Sequence, residues 1–263
     1  MSSTPKVYLA SPVFREIADN PRVSVKYKFL INKVWSNLNT AANVIVADSR
    51  FPSEDDIRRA VEQNEADFIG CHIGHQITEG IVSVPSVKGV STSNVGWNHI
   101  HLHPGVIVTN TPGVLAGTIA DYTVSLILAN LRNITGLNQH VWSGQWQPGE
   151  KWDLDRHITK NTENLTYGIL GLGEIGREVV RRVAPWGIHI AYNDIFQSAE
   201  MEEQYPNLTY YEDVEQLFKA ADIVSLHIPL DDGTRHFVGE RLLRLMRPRA
   251  LLVNTARGAI IDF

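Results

Sequence analysis

The chain has 263 residues, which is enough for one large or two ordinary domains. Its 43% hydrophobic and 20% charged residues are typical of a soluble globular protein, and no apolar run approaches the roughly 20 residues of a membrane span. The net charge of −5 argues against a general nucleic-acid-binding surface. The single cysteine, Cys71, excludes an internal disulfide, and the polar start is unlike a signal peptide; both favour a cytoplasmic protein.

The first part of the chain alternates between predicted strands and helices. The apolar runs that predict strands are Lys6–Ala10, Asn43–Ala47, Asp67–Cys71 and Val87–Ser91. The helical spacing of six apolar residues predicts an amphipathic helix: Tyr27, Leu30, Ile31, Val34, Trp35 and Leu38. The next helix is predicted to begin at Ser53, an N-cap residue followed by three acids. We interpret residues 1–103 as one parallel-sheet domain that ends at His103-Pro104-Gly105.

Residues 104–263 predict a second domain of the α/β class. The strand Val106–Thr109 leads into a long helix from about Gly117 to Leu137, with an apolar stripe that includes Ile119 and Ile127. Residues 141–165 lack a convincing period and contain Trp142, Trp146 and Trp152. The last predicted elements are the strands Ala221–His227 and Ala250–Asn254 and the helices Glu212–Lys219 and Glu240–Met246.

The most informative stretch is the glycine sequence Gly171-Leu-Gly-Glu-Ile-Gly176. An apolar strand (Leu165–Leu170) precedes it, and a helix marked by Val179, Val180, Val183 and Trp186 follows. A second apolar run (Ile188–Tyr192) ends just before Asp194, which lies 18 residues after Gly176. A strand, a glycine turn, a helix, a strand and an acid in this order indicate a dinucleotide-binding unit.

Each part of this unit has a physical reason. Gly171 permits the tight turn, Gly173 lets the backbone approach the pyrophosphate, and Gly176 allows the helix to pack closely on the strand. The helix that begins at Glu174 and Ile175 supplies N–H donors and a positive dipole to the phosphates. Asp194 is predicted to accept hydrogen bonds from the adenosine ribose hydroxyls. The acid would also repel the 2′-phosphate of NADP, which predicts NAD as the cofactor.

With these residues in view, the sequence resembles the D-isomer-specific 2-hydroxyacid dehydrogenases, the family of glyoxylate, hydroxypyruvate and D-lactate enzymes. The matching segments are Val108–Gly113, Ala120-Asp121, Ser143–Trp146, the glycine stretch, His227–Leu230 and Val253–Gly258. The resemblance is well spread from about Val87 to Asp262. It implies two Rossmann-like or flavodoxin-like parallel-sheet domains, the first for the substrate and the second for NAD.

The resemblance also implies site residues. Arg257 corresponds to the family's catalytic arginine, and a guanidinium can bind the carboxylate and the carbonyl of a 2-oxo acid through two parallel donors. Val95 and Gly96 align with a loop whose backbone N–H groups hold the substrate carboxylate, although Asn94–Gly96 could equally be a plain turn. Cofactor contacts are implied for His227, Pro229, Thr255, Ala256 and Thr118.

The sequence departs from the family in its last part, where the family's acid/base histidine and its final helix are both missing. The family's acid/base histidine and its orienting glutamate lie well after the arginine, so we expect a dinucleotide-binding domain that lacks its last strands and a truncated chain with slow turnover. His72 and His75 lie in a loop that faces the substrate in this family. They could supply the proton, but ordinary loop residues are the simpler interpretation.

Two further features are weighed against simpler explanations. His99, His101 and His103 alternate and would share one face of a strand, but no fourth ligand follows by spacing, so we expect no metal. The tryptophans at 142–152 lie where the family packs against a dimer partner, which predicts a homodimer.

The sequence therefore predicts an NAD-dependent oxidoreductase that transfers hydride between NADH and a small 2-oxo acid such as glyoxylate or hydroxypyruvate. The alternatives are a non-catalytic dinucleotide-binding protein or sensor and, less favoured, a relative that oxidises formate or phosphite. No nucleic acid or membrane partner is expected.

Overall fold

The computed structural model of the chain describes residues 4–147, 149 and 159–263. The chain forms two compact units, Met1–Val114 and Leu115–Phe263. Each unit contains a parallel sheet with helices, as the sequence predicts for both domains. Within the described ranges, no helix is long and apolar enough to cross a membrane.

The first unit contains a sheet of five parallel strands. They are β1 (Lys6–Leu9), β2 (Asn43–Val46), β3 (Phe68–Cys71), β4 (Gly89–Thr92) and β5 (Ile107–Thr109). Their order is β2-β1-β3-β4-β5, the flavodoxin-like order, in which the direction of winding reverses between β1 and β3. The carboxyl ends of these two strands are therefore the expected ligand edge of the unit.

Among the described residues of the first unit there are four α-helices: α1 (Val13–Glu16), α2 (Val25–Ala41), α3 (Glu54–Asn64) and α4 (Glu79–Val82). The predicted N-cap of α3 is confirmed, because Ser53 Oγ accepts from the Asp56 N–H at 3.2 Å and Asp56 Oδ2 accepts from the Ser53 N–H at 3.3 Å. The helix α2 is also confirmed, but it has no buried residue, and Tyr27 and Val34 are 60% and 65% exposed.

The second unit contains a sheet with the Rossmann order. Its strands are β6 (Thr166–Leu170), β7 (His189–Asn193), β8 (Leu208–Tyr210), β9 (Ile223–Leu226) and β10 (Leu251–Asn254). The order β10-β9-β6-β7-β8 has β6 at the centre and reverses direction between β6 and β9. Four consecutive buried residues, Tyr167 to Leu170, explain why β6 reads as one apolar run.

The described part of the second unit contains six α-helices. They are α5 (Ala116–Leu131), α6 (Ile134–Trp142), α7 (Glu174–Val183), α8 (Ala199–Gln204), α9 (Val214–Ala220) and α10 (Glu240–Leu243). The prediction of one helix from 117 to 137 is wrong. Two separate helices, α5 and α6, occupy this range. The helical conformation is interrupted at Asn133, which is left-handed with φ of +48°, a conformation that asparagine tolerates well.

The structure also divides the chain later than the sequence suggested. The proposed boundary at residue 103 assigned Val106–Thr109 to the second domain, but these residues form β5, which pairs with β4 in the first sheet. The division of the chain into two compact units accordingly falls after Val114. The short strand β8 was not predicted, because it has only three residues between two helices.

Candidate functional site

The glycine turn after β6 has a different constraint at each glycine. Gly171 has φ of +96°, and a Cβ there would lie 2.9 Å from the backbone of both His227 and Ile228. A Cβ on Gly176 would lie 2.2 Å from the Gly171 carbonyl oxygen. A Cβ on Gly173 would meet no atom within 4 Å among the described residues. Gly171 and Gly176 are therefore fixed by packing, whereas Gly173 faces open space.

The helix α7 begins at this open position. Gly173 is its N-cap residue, and no side chain in the described part of the chain caps it. The backbone N–H groups at the start of a helix lack partners within the helix and carry a partial positive charge. Glu174 and Ile175 are the first residues of this turn, so the N-terminus of α7 has the geometry that a pyrophosphate needs.

Asp194 lies at the end of β7 beside the glycine turn. Its Oδ2 accepts from the Leu172 N–H at 2.5 Å, and its Oδ1 accepts from the Ile195 N–H at 2.7 Å. The backbone of the turn is tied to the same strand, because the Gly171 N–H donates to the Asn193 carbonyl at 2.9 Å. The acid and the turn are thus held together, and the carboxylate is half-buried.

His227 and Pro229 follow β9 on the other side of the glycine turn. The His227 N–H donates to the Leu170 carbonyl at 2.8 Å, which places His227 at the point where the sheet reverses direction. Burial lowers the pKa of His227 to about 4, so its imidazole is neutral near pH 7. Pro229 is exposed.

Thr255, Ala256 and Arg257 follow β10, next to β9 in the same sheet. Asn254 shapes this segment: its Oδ1 accepts from the Ala256 N–H at 2.9 Å, and its Nδ2 donates to the Arg257 carbonyl at 2.8 Å. Thr255 is hydrogen-bonded through its hydroxyl to Thr123 of α5 at 2.9 Å. Arg257 is half-buried, and its Nη1 donates to the Ala256 carbonyl at 3.0 Å.

The predicted cofactor residue Thr118 lies in the first turn of α5 and is exposed. The sequence predicted neither Asn254 nor Thr123 as part of the site. Their contribution is to hold the backbone around Thr255 and Arg257. A polar residue inside a mostly apolar stripe on α5 was the available signal for Thr123, and Asn254 lay within the segment that carries the family resemblance.

In the first unit, the loop after β4 contains Val95 and Gly96. Asn110 Nδ2 donates to the Val95 carbonyl at 2.6 Å, and Asn94 Oδ1 accepts from the Ile73 N–H at 2.6 Å. These bonds connect three chain segments at the carboxyl end of the sheet. The loop is therefore held by side chains on both sides, which a plain turn does not need.

His72 and His75 lie beside this loop, with ring centroids 3.9 Å apart. His75 is 1% exposed; its Nδ1 accepts from the His72 N–H at 3.2 Å, and its Nε2 lies 3.0 Å from the Arg50 carbonyl. Both polar atoms of His75 are used inside the fold. His72 Nδ1 accepts from the Gly74 N–H at 3.0 Å. Burial and the neighbouring His75 lower the pKa of His72.

The three alternating histidines do not share one face of a strand. His99 is 4% exposed and lies 3.1 Å from the Thr92 hydroxyl, whereas His101 is exposed. In the described ranges, no group of three or more His, Cys, Asp or Glu side chains could hold a metal ion.

The chain is similar to known proteins over most of its length, and the similarity includes the glycine turn. Residues 124–263 match the family model of the D-isomer specific 2-hydroxyacid dehydrogenase, NAD binding domain. A glyoxylate reductase of Thermofilum pendens is 33% identical over 234 residues, which are 86% of this chain and 68% of that protein. The chain belongs to the D-isomer specific 2-hydroxyacid dehydrogenases. Its second unit is the NAD-binding domain of this family.

Other relatives agree with this membership in the family. A glyoxylate reductase of Thermococcus litoralis is 36% identical over 70% of this chain, but the match covers only 56% of that protein. The solved structure of the TT0316 protein from Thermus thermophilus superposes with a TM-score of 0.78 at 26% identity and covers 98% of this chain and 75% of that one. The expected fold class is confirmed.

Proposed function

We propose that the protein catalyses hydride transfer between NADH and a small 2-oxo acid, with glyoxylate and hydroxypyruvate as the first substrates to test. The main support is one arrangement in the second unit. The glycine turn, Asp194, His227 and Arg257 all follow the carboxyl ends of strands in a single parallel sheet. Ligands of such sheets bind at this edge, where the direction of winding reverses.

The chain's own residues fit the dinucleotide. Gly173 leaves open space at the N-terminus of α7, where the pyrophosphate would lie against backbone N–H donors. Asp194 would accept from the ribose hydroxyls, and Pro229, Thr255, Ala256 and Thr118 would contribute the remaining contacts. When bound, NADH would supply the hydride and become NAD, and the 2-oxo acid would gain this hydride and a proton from solvent to become the 2-hydroxy acid.

We assign Arg257 to the substrate. Its planar guanidinium can donate to a carboxylate oxygen and to the carbonyl oxygen, which gains negative charge as hydride arrives. A lysine would offer a point charge without the two parallel donors. Val95 and Gly96 are assigned to the substrate carboxylate through their backbone N–H groups, in a loop that Asn94 and Asn110 hold in place.

The experiment combines NADH binding, measured by fluorescence, with NADH oxidation in the presence of glyoxylate, hydroxypyruvate or pyruvate. Arg257→Lys should leave the Kd for NADH unchanged and lower kcat/KM about 10- to 100-fold, the loss expected for one charged hydrogen bond. Arg244→Lys is the matched control, because Arg244 is an exposed arginine of the same unit that pairs with Glu240 at 2.8 Å. Its kinetics should not change.

Two outcomes would contradict the proposal. NADH binding without turnover on any 2-oxo acid would favour the alternative of a non-catalytic dinucleotide-binding protein. Reduction of NAD by formate or phosphite, without activity on 2-oxo acids, would favour the third hypothesis.

We also propose that the protein forms a homodimer through α5 and α6. Both helices present large apolar side chains to solvent: Tyr122 is 58% exposed, Trp142 is 83% exposed and Trp146, just after α6, is 53% exposed. Aromatic residues are enriched at protein interfaces, and large exposed apolar side chains are candidates for such contacts. Trp152, the third tryptophan of the prediction, lies outside the described residues.

A further inference from the structure

Three side chains form a hydrogen-bonded chain through the middle of the second sheet. Tyr167 lies opposite Ile223 in the pairing of β6 with β9, and Ser225 and His227 follow at steps of two on the same face. The Tyr167 hydroxyl donates to Ser225 Oγ at 2.7 Å, and Ser225 Oγ lies 2.9 Å from His227 Nε2. Tyr167 and Ser225 are both 0% exposed.

The direction of these hydrogen bonds follows from the buried phenol. The hydroxyl of Tyr167 has one hydrogen-bond partner in the described part of the chain, Ser225 Oγ, so its proton must be donated there. Ser225 then donates its own proton to the remaining partner, His227 Nε2. If Nε2 carried the proton instead, Ser225 Oγ would accept from both neighbours, and the buried proton of Ser225 would have no acceptor among the described residues.

This direction fixes the protonation of His227. If Nε2 accepts a hydrogen bond, the single proton of the neutral imidazole must lie on Nδ1. A neutral ring is expected because burial lowers the pKa of His227 to about 4. None of the described residues forms a hydrogen bond with Nδ1. The Nδ1–H group therefore has no partner among the described residues, and it belongs to a residue whose backbone lies beside Gly171 at the reversal point of the sheet.

We propose that Tyr167 and Ser225 are positioning residues that hold His227 in the Nδ1–H tautomer, so that His227 donates a hydrogen bond to an acceptor oxygen of the bound dinucleotide. This inference rests on the proposed binding of the dinucleotide at this edge of the sheet. It assigns a function to two polar side chains in a core where phenylalanine and alanine would need no partners.

The first test measures the tautomer without any ligand. Long-range 1H–15N NMR spectra of the protein at pH 7, with the His227 signals assigned by comparison with His227→Gln, should show a protonated Nδ1 and an unprotonated Nε2. In Ser225→Ala the two tautomers should become mixed. A protonated Nε2 in the unmodified protein would overturn the proposal, whether or not NADH binds.

The second test is a double-mutant cycle on the Kd for NADH. Ser225→Ala and Tyr167→Phe should each weaken binding about two- to tenfold, which corresponds to part or all of one neutral hydrogen bond. In a His227→Gln background the same substitutions should have no further effect, because they act through His227. Equal losses in both backgrounds would mean that Tyr167 and Ser225 serve stability alone.

A matched control separates these effects from general loss of stability. Tyr8→Phe removes the hydroxyl of another tyrosine, 3% exposed and located in the first sheet, and should leave the Kd for NADH unchanged. Thermal melting of every variant shows whether it is folded. If the unmodified protein binds no NADH, the proposed function fails, and the NMR spectra still decide whether the tautomer is fixed.

Discussion

Asp194 offers the sharpest test of cofactor choice, through the substitution Asp194→Asn. The change removes the negative charge and keeps the shape of the side chain. One oxygen remains to accept from either the Leu172 or the Ile195 N–H, which Asp194 now engages with separate oxygens at 2.5 and 2.7 Å. We expect the unmodified protein to prefer NADH, since the carboxylate accepts from a 2′-hydroxyl and repels a 2′-phosphate.

The expected preference for NADH over NADPH follows from one charged hydrogen bond, about 1.5–3 kcal/mol, which corresponds to about a 10- to 150-fold difference in affinity between the two nucleotides. Asp194→Asn should therefore lower the ratio of the Kd for NADPH to the Kd for NADH by at least about tenfold. Few basic side chains near Asp194 could neutralise the 2′-phosphate of NADPH. Ile195-Phe196-Gln197 contains no basic residue, and Arg177 already donates to Ser198 Oγ at 3.2 Å and to Glu200 at 3.3 Å.

The assay is fluorescence titration of both nucleotides, and the ratio is the informative quantity. A general weakening of the turn affects the two nucleotides alike and cancels in the ratio. Glu240→Gln changes the net charge equally at an exposed position and should leave the ratio unchanged. A ratio that stays within about twofold in Asp194→Asn, with both nucleotides bound, would refute the assignment of Asp194 to the ribose.

Three further predictions concern the glycine turn, His227 and the exposed helices. Gly176→Ala should lower the melting temperature, at a cost of about 1–3 kcal/mol from the clash with Gly171, whereas Gly173→Ala should keep the melting temperature and lose NADH affinity. Because burial lowers the pKa of His227 to about 4 in the folded protein, the free energy of unfolding should fall as the pH drops from about 6.5, the pKa in the unfolded chain, towards 4. Denaturant titrations of His227→Gln should not show this pH dependence. Trp142→Ser should shift the protein from dimer to monomer in sedimentation at micromolar concentration, and an unchanged dimer would place the interface elsewhere.

Local patterns in the sequence predicted most of the second sheet. The strands β6 and β7 and the helix α7 follow from consecutive buried residues and from helical spacing, and these signals depend only on near neighbours. Only part of the glycine sequence is local: a Cβ on Gly176 would meet the Gly171 carbonyl of the same turn, whereas Gly171 is limited by its φ of +96° and by the backbone of His227 and Ile228 after β9. Asp194 could be identified from its distance along the chain after the glycine turn.

Non-local features could not be predicted in the same way. The strand β5 belongs to the first sheet because it pairs with β4. The residues Ile107–Thr109 predict a strand, but their composition does not indicate which strand they pair with. The break at Asn133 depends on one left-handed residue inside a continuing apolar pattern. The exposure of Tyr27 and Val34 on α2 depends on what else packs there, which apolar spacing alone does not determine.

The same distinction separates the identity of a site residue from its chemical state. The resemblance of the short segment after β9 to the family is sufficient to propose His227 as a cofactor contact, and the end of a parallel strand is where such contacts arise. Its tautomer depends instead on Ser225 and on Tyr167, whose hydrogen bond to Ser225 joins residues 58 positions apart. The register of β6 against β9 brings the three side chains onto one face. A shift of one residue in that register would place Tyr167 on the opposite face and leave the proton of His227 undetermined.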